Sequence, residues 1–114
     1  MIHSQIHGRS RLQRYNKLAN WEYVLEAARA QDPEYDRLPV IGNGDIFSYE
    51  DWHGHFNMIQ DRLRDSDPEA IGLCSCAMIG RGVLIKPWLP QELKESRHVD
   101  ISASERLDML QRFV

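Results

Sequence analysis

No stretch of these 114 residues stays apolar for anything near the ~18 residues that a membrane-spanning helix needs. The opening residues also lack the apolar core of a secretory signal. Cysteine is scarce. Cys74 and Cys76 are the only two, and they lie two apart within one apparent strand. That spacing is a poor fit to a simple disulfide or zinc site, and it predicts two thiols on one strand face, buried in a reducing compartment. No Cys–His nucleophile pair and no cluster of metal ligands is present. His53 and His55 flank Gly54 and would not share a helix face. Neither a membrane nor a metal is expected, and an intracellular location, cytoplasmic or nuclear, is. There is no low-complexity tract and no interdomain linker. The remaining composition, 42% hydrophobic and 27% charged, is that of an ordinary globular domain.

Acid is missing from one end. The first 18 residues carry Arg9, Arg11, Arg14 and Lys17 and no carboxylate, so the other 96 hold a net charge of −7. A basic loop of this kind suits phosphate or nucleic acid, and equally suits solvent with the cations clustered by chance.

Three short apolar runs each end in a glycine-bearing polar turn. They are Ile6-His7-Gly8-Arg9, Ile41-Gly42-Asn43-Gly44-Asp45 and Ile79-Gly80-Arg81-Gly82. His7 and Asn43 are 36 residues apart, and Asn43 and Arg81 are 38 apart. Such an interval fits one strand, one helix and two loops, and repeated βα units imply parallel strands. In a parallel barrel the ligand face is the carboxyl end of the strands, where these turns would lie. Glycines there let backbone N–H groups approach a phosphate, and Arg81 adds a planar fork suited to its oxygens. Each turn alone is also compatible with a tight structural loop, and Arg81 with a structural salt bridge. His7 at a strand end could meet a ligand or be structural.

The expected elements follow from caps and periodicity. Strand one spans about residues 2–7. Asn20 caps a helix opening at Trp21, with an apolar stripe of Tyr23, Val24, Ala27 and Ala28. Strand two is Pro39 to Gly42. Ser48 caps a helix running to about Leu63, and strand three spans about Leu73 to Ile79. A short helical turn before Pro87 and a helix over Trp88 to Glu95 follow. Ser102-Ala103-Ser104-Glu105 reads as a capping box opening a last helix, with Leu107, Leu110 and Phe113 on one face. A (β/α)8 barrel takes roughly 250 residues, so this chain holds about three of eight units. The phosphate-type turns place them as the last three. The expected fold class is therefore α/β: a partial TIM (β/α)8 barrel with the start of a C-terminal helix, one domain over residues 1–114, and a piece of something larger.

The motifs resemble a known family. His7-Gly8-Arg9-Ser10-Arg11, Gln13-Arg14-Tyr15 and Lys17-Leu18-Ala19-Asn20-Trp21 are similar to the tRNA-dihydrouridine synthases. So are Gly42-Asn43-Gly44-Asp45-Ile46 and Met78-Ile79-Gly80-Arg81-Gly82 with Leu84-Ile85-Lys86-Pro87-Trp88-Leu89. Glu92-Leu93-Lys94-Glu95, Arg97-His98, Asp100-Ile101-Ser102 and Ser104 to Asp108 resemble the eukaryotic tRNA-dihydrouridine(47) synthase branch. The likeness is weakest over residues 54–72.

That resemblance implies an FMN-dependent barrel that reduces a uridine of tRNA, with NADPH as reductant. It implies FMN contacts at His7, Asn43, Gly44, Asp45, Gly80 and Arg81, with Arg9 and Arg11 facing the flavin–RNA cleft; Arg14, in the same basic loop, joins them as an expected RNA contact. The family's acid cysteine and an FMN-contacting lysine lie on earlier strands that this chain does not include, and Cys74 and Cys76 occupy another segment. The helical RNA-binding domain that follows the barrel is also absent. No catalytic residue is therefore expected here. The missing half of the barrel, or a partner chain, is expected to be needed for closure. Two functions stay open: the phosphate-holding portion of such an enzyme, or an inactive remnant with weak phosphate or RNA binding.

Overall fold

The computed structural model describes residues 2–114; Met1 lies outside the described residues. Three parallel strands form one sheet in the order β1-β2-β3, with β1 at Ser4–His7, β2 at Val40–Asn43 and β3 at Cys76–Met78. The helices are α1 at Trp21–Arg29, α2 at Tyr49–Ser66, α3 at Arg81–Ile85, α4 at Leu89–Glu95 and α5 at Ala103–Phe113. A single 3-10 turn, Pro68–Ala70, follows α2. The expectation of an α/β chain with parallel strands holds at this level.

The caps form as the sequence dictates. The Asn20 side chain accepts the Glu22 N–H at 2.9 Å, and the Ser48 hydroxyl accepts the Asp51 N–H at 3.1 Å. Ser102 and Glu105 complete the reciprocal box at the start of α5. Each such cap contributes about 1 kcal/mol. The stripe of α1 differs from the expected one by a rotation about the helix axis. Trp21, Val24, Leu25 and Ala28 are buried, while Tyr23 is exposed. Trp21 sets that rotation, because its indole occupies the space beside Gly42 that a Cβ would take. Ala27 is only half buried in consequence.

The core lies between α1, α2 and one face of the sheet. Val24, Leu25, Val40, Ile59, Leu63, Cys74 and Leu89 are its deepest apolar side chains. Alternation along the strands separates the two faces. Val40 and Gly42 are buried under the helices, with Ile6 and Ala77 half buried on that side. Gln5, His7, Cys76 and Met78 are exposed on the other side, with Ile41 and Asn43 half buried among them. Among the described residues no helix covers that second face.

The cysteines do not share a face. Strand three begins at Cys76, not Leu73, because the chain turns at Gly72 (φ +91°) and the Ser75 hydroxyl donates to the Gly72 carbonyl. Strand alternation therefore does not reach Cys74, which turns into the core while Cys76 is exposed. Burial pushes the Cys74 thiol up to about 11, the nearby Cys76 adding to the rise and the backbone at Gly42 opposing it.

Candidate functional site

The register brings the three polar turns level. His7 pairs with Asn43, and Asn43 with Met78, so the strands end in one row. Close packing then draws the turns together. The Asn43 side-chain amide donates to the Met78 carbonyl and fixes the end of β2 to the end of β3. Gly82 at the start of α3 lies directly on the Ile46 carbonyl, where any Cβ would collide. Gly44 (φ +133°) lies against the Ala19 methyl, and its carbonyl accepts the Trp21 indole N–H at 2.9 Å. Gly44 thus needs both its backbone angle and its missing side chain.

The result is a cleft of about 180 Å³ walled by His7, Asn43, Gly44, Asp45, Gly80 and Arg81, with Tyr15 and Phe47 among its other walls. All six residues expected to contact FMN therefore meet at one place. A shallower cavity beside it is formed by Arg9, Arg11, Arg14 and their loop neighbours, with His7 and Tyr15 common to both.

Asp45 organises the electrostatics. It sits in the left-handed region (φ 53°) beyond Gly44. Its carboxylate accepts the Ala19 N–H at 2.6 Å and the Arg9 guanidinium at 2.6 and 2.8 Å. Arg81 approaches it at 3.5 Å. Burial pushes the Asp45 carboxyl up, but the Ala19 N–H, Arg9 and Arg81 outweigh that and hold it below the usual carboxylate range. It is ionised at neutral pH.

The cations split into two groups. The Arg9 side chain is only 7% exposed, bound to Asp45 and to the Lys17 carbonyl, with Nη1 buried and unpartnered. Its charge is spent inside the loop neck. Arg11 and Arg14 are exposed. Arg81 lies between, 46% exposed at the cleft. His7 accepts the Arg9 N–H at Nδ1, which in the neutral ring leaves the proton on Nε2.

Three residues that shape this site went unassigned in the sequence reading: Tyr15, Ala19 and Trp21. Gly42 opposite Trp21 was one available signal, since a glycine inside a strand marks close approach by another group. Among the described residues no group of three or more His, Cys, Asp or Glu side chains could hold a metal ion. No helix of the described residues is long and apolar enough to cross a membrane.

The family model for dihydrouridine synthase matches residues 4–112. A rice (Oryza sativa subsp. japonica) protein named tRNA-dihydrouridine(47) synthase NAD(P)(+)-like is 44% identical over 96% of this chain and 14% of its own length. A Homo sapiens protein of the same name is 47% identical over 95% of this chain and 14% of its own length. A Candida glabrata tRNA-dihydrouridine(47) synthase is 37% identical over 95% of this chain and 18% of its own length. The chain thus spans less than a fifth of the length of these relatives.

Proposed function

The chain belongs to the dihydrouridine synthase family, and from that premise we propose that it is the flavin-phosphate-holding part of an NADPH-dependent, FMN-containing tRNA-dihydrouridine synthase. The observation that carries this reading is the meeting of two glycine turns, Asn43-Gly44-Asp45 and Gly80-Arg81-Gly82, in one cleft at the ends of parallel strands. The relatives' names, with tRNA and NAD(P)(+) in them, support the substrate and the reductant. We further propose that the three strands are the last three units of a (β/α)8 barrel. The sheet face that no described helix covers and the outer edges of β1 and β3 are what further strands would cover.

The residues present fit a phosphate. The cleft offers a half-exposed guanidinium, and its one carboxylate is already neutralised by Arg9. A carboxylate left free there would repel an anion. Arg81 would donate to phosphate oxygens from the edge of its planar fork. Gly80 keeps a side chain out of the way, its Cβ position being open space with nothing within 4 Å. The Asn43–Met78 bond sets the distance between the two turns. His7 would present its Nε2–H from the end of β1. When bound, the flavin supplies the hydride chemistry. Arg11 and Arg14 would meet RNA phosphates beside the cleft, and Arg9 braces the loop that carries them. Work in the cytoplasm or nucleus would be compatible with a tRNA substrate.

The test compares FMN with riboflavin, which lacks the phosphate, in an NMR titration of the chain. FMN should bind more tightly, and Arg81→Ala should weaken FMN by roughly ten- to a hundredfold while leaving riboflavin unchanged, as for loss of a charge-assisted hydrogen bond. Equal affinity for the two flavins would remove the phosphate reading. For RNA, Arg11→Ala with Arg14→Ala should flatten the salt dependence of tRNA binding without touching FMN.

A further inference from the structure

Tyr15 is a wall of both cavities, and nothing in the family reading gives it a role. The residue is 68% exposed and lies outside the apolar core. The Arg81 guanidinium nevertheless lies over that ring at 4.0 Å, and Arg9 approaches it at 5.5 Å. Phe47 stands 5.6 Å from the same guanidinium.

The loop is built to hold the ring there. Its neck is closed by Asn20 N–H to the Gly8 carbonyl at 2.6 Å and by Gly8 N–H to the Asn43 carbonyl at 3.0 Å. Asp45 grips both sides of the neck, through Arg9 and through the Ala19 N–H. Within the loop, Arg14 adopts a left-handed backbone (φ 49°) immediately before Tyr15. A residue with a Cβ tolerates that angle only where its surroundings impose it. The bend accompanies the return of Tyr15 to the cleft.

The two contacts of Arg81 have different consequences. A carboxylate binds a guanidinium by its edge and consumes N–H donors. An aromatic ring binds the flat face and leaves the in-plane donors free. Asp45 takes three shorter hydrogen bonds from Arg9 and Ala19, and its contact with Arg81 is long by comparison, at 3.5 Å, and weakly orienting. The ring contact therefore sets the direction of the guanidinium.

We propose that Tyr15 is a positioning residue that holds Arg81 by its face across the cleft mouth, so that the guanidinium edge is kept for a phosphate group of the ligand. The proposal rests on the phosphate reading of the cleft. Tyr15→Phe keeps the face, and Tyr15→Leu removes it while keeping an apolar side chain. In the FMN and riboflavin titration, Tyr15→Leu should weaken FMN about fivefold, a typical worth for a partly exposed cation–π contact. Riboflavin should be unaffected, and Tyr15→Phe should stay within about twofold of the parent. On an Arg81→Ala background, Tyr15→Leu should cost nothing more. An equal loss for both flavins, a further loss on the Arg81→Ala background, or a failure of Tyr15→Phe to rescue would overturn the proposal. A second readout needs no ligand. The Arg81 Nε–H resonance should be displaced upfield by the ring in the parent and in Tyr15→Phe, and should lose that displacement in Tyr15→Leu. If the parent chain does not distinguish the two flavins, the phosphate reading fails, and this resonance still decides the positioning. An unmoved resonance in Tyr15→Leu would sink it.

Discussion

Two carboxylates in this chain are held by the same kinds of partner and serve different ends. Asp45 and Glu92 each accept a backbone N–H and a charged side chain, from Ala19 and Arg9 in one case and from Val99 and Lys86 in the other. Glu92 is 0% exposed. Lys86 Nζ lies 3.1 and 3.2 Å from its two oxygens, and His98 stands 3.7 Å away. That cluster ties α4 to the segment before it and to the one leading into α5. Asp45 has two guanidiniums around one carboxylate, and the second, Arg81, faces a cleft. Charge that balances marks a structural clamp here. Positive charge left over marks the side turned toward a ligand.

The largest expected effect is at the clamp. Glu92→Ala leaves the mostly buried Lys86 ammonium without its partner, and should lower unfolding stability by about 3–5 kcal/mol, as breaking a buried ion pair does. Replacing both residues by apolar ones of similar size, Glu92→Leu with Lys86→Met, should recover much of that. Urea unfolding of the three chains measures it. A loss below about 1 kcal/mol for Glu92→Ala would mean that the clamp is no stronger than a surface pair.

The next effect separates the two cations. Lys86→Ala strips Glu92 of its charged donor in a fully enclosed place and should cost about 3–5 kcal/mol, in the same range as Glu92→Ala. Arg81→Ala removes a half-exposed pair and should cost less than about 1 kcal/mol, while retaining its effect on FMN. If the two substitutions destabilise equally, Arg81 is a strut like Lys86, and the contrast between the sites collapses.

Much of the fold could be read from the sequence because it is local. Asn20, Ser48 and the Ser102–Glu105 box each sit within three residues of the N–H groups they cap. The turns that build the cleft were also legible, through glycine spacing and the family motifs. What stayed hidden depends on distant pairs. Arg9 reads as a free cation in a basic loop, yet Asp45, 36 residues on, engages it. Glu92 reads as one acid among others on a short helix, and its burial becomes visible only once α2 and the segment around Val99 close over it. Cys74 followed strand alternation on paper, and a single bend at Gly72 removed it from the strand.

The smallest effect lies in the acid limb of stability, and it tests enclosure directly. Burial raises both carboxyls, but their partners outweigh it: Ala19 N–H and the arginines at Asp45, Lys86 and Val99 N–H at Glu92. Both therefore stay below their ordinary values. The unfolded chain, with carboxyls near roughly 3.9 for Asp and 4.3 for Glu, takes up protons before the folded one as pH falls. The stability these groups contribute is full above that range and is lost as pH drops through their folded values. Asp45→Asn and Glu92→Gln should each flatten the limb. Salt then distinguishes them. At about 1 M salt the screening length is about 3 Å, which weakens exposed pairs far more than enclosed ones. The limb that remains in Glu92→Gln, carried by Asp45 beside the half-exposed Arg81, should move toward higher pH with added salt. The limb that remains in Asp45→Asn, carried by the enclosed Glu92, should stay in place. Equal movement in both variants would show that Glu92 is no better shielded than Asp45, and that the difference between clamp and cleft is one of connectivity alone.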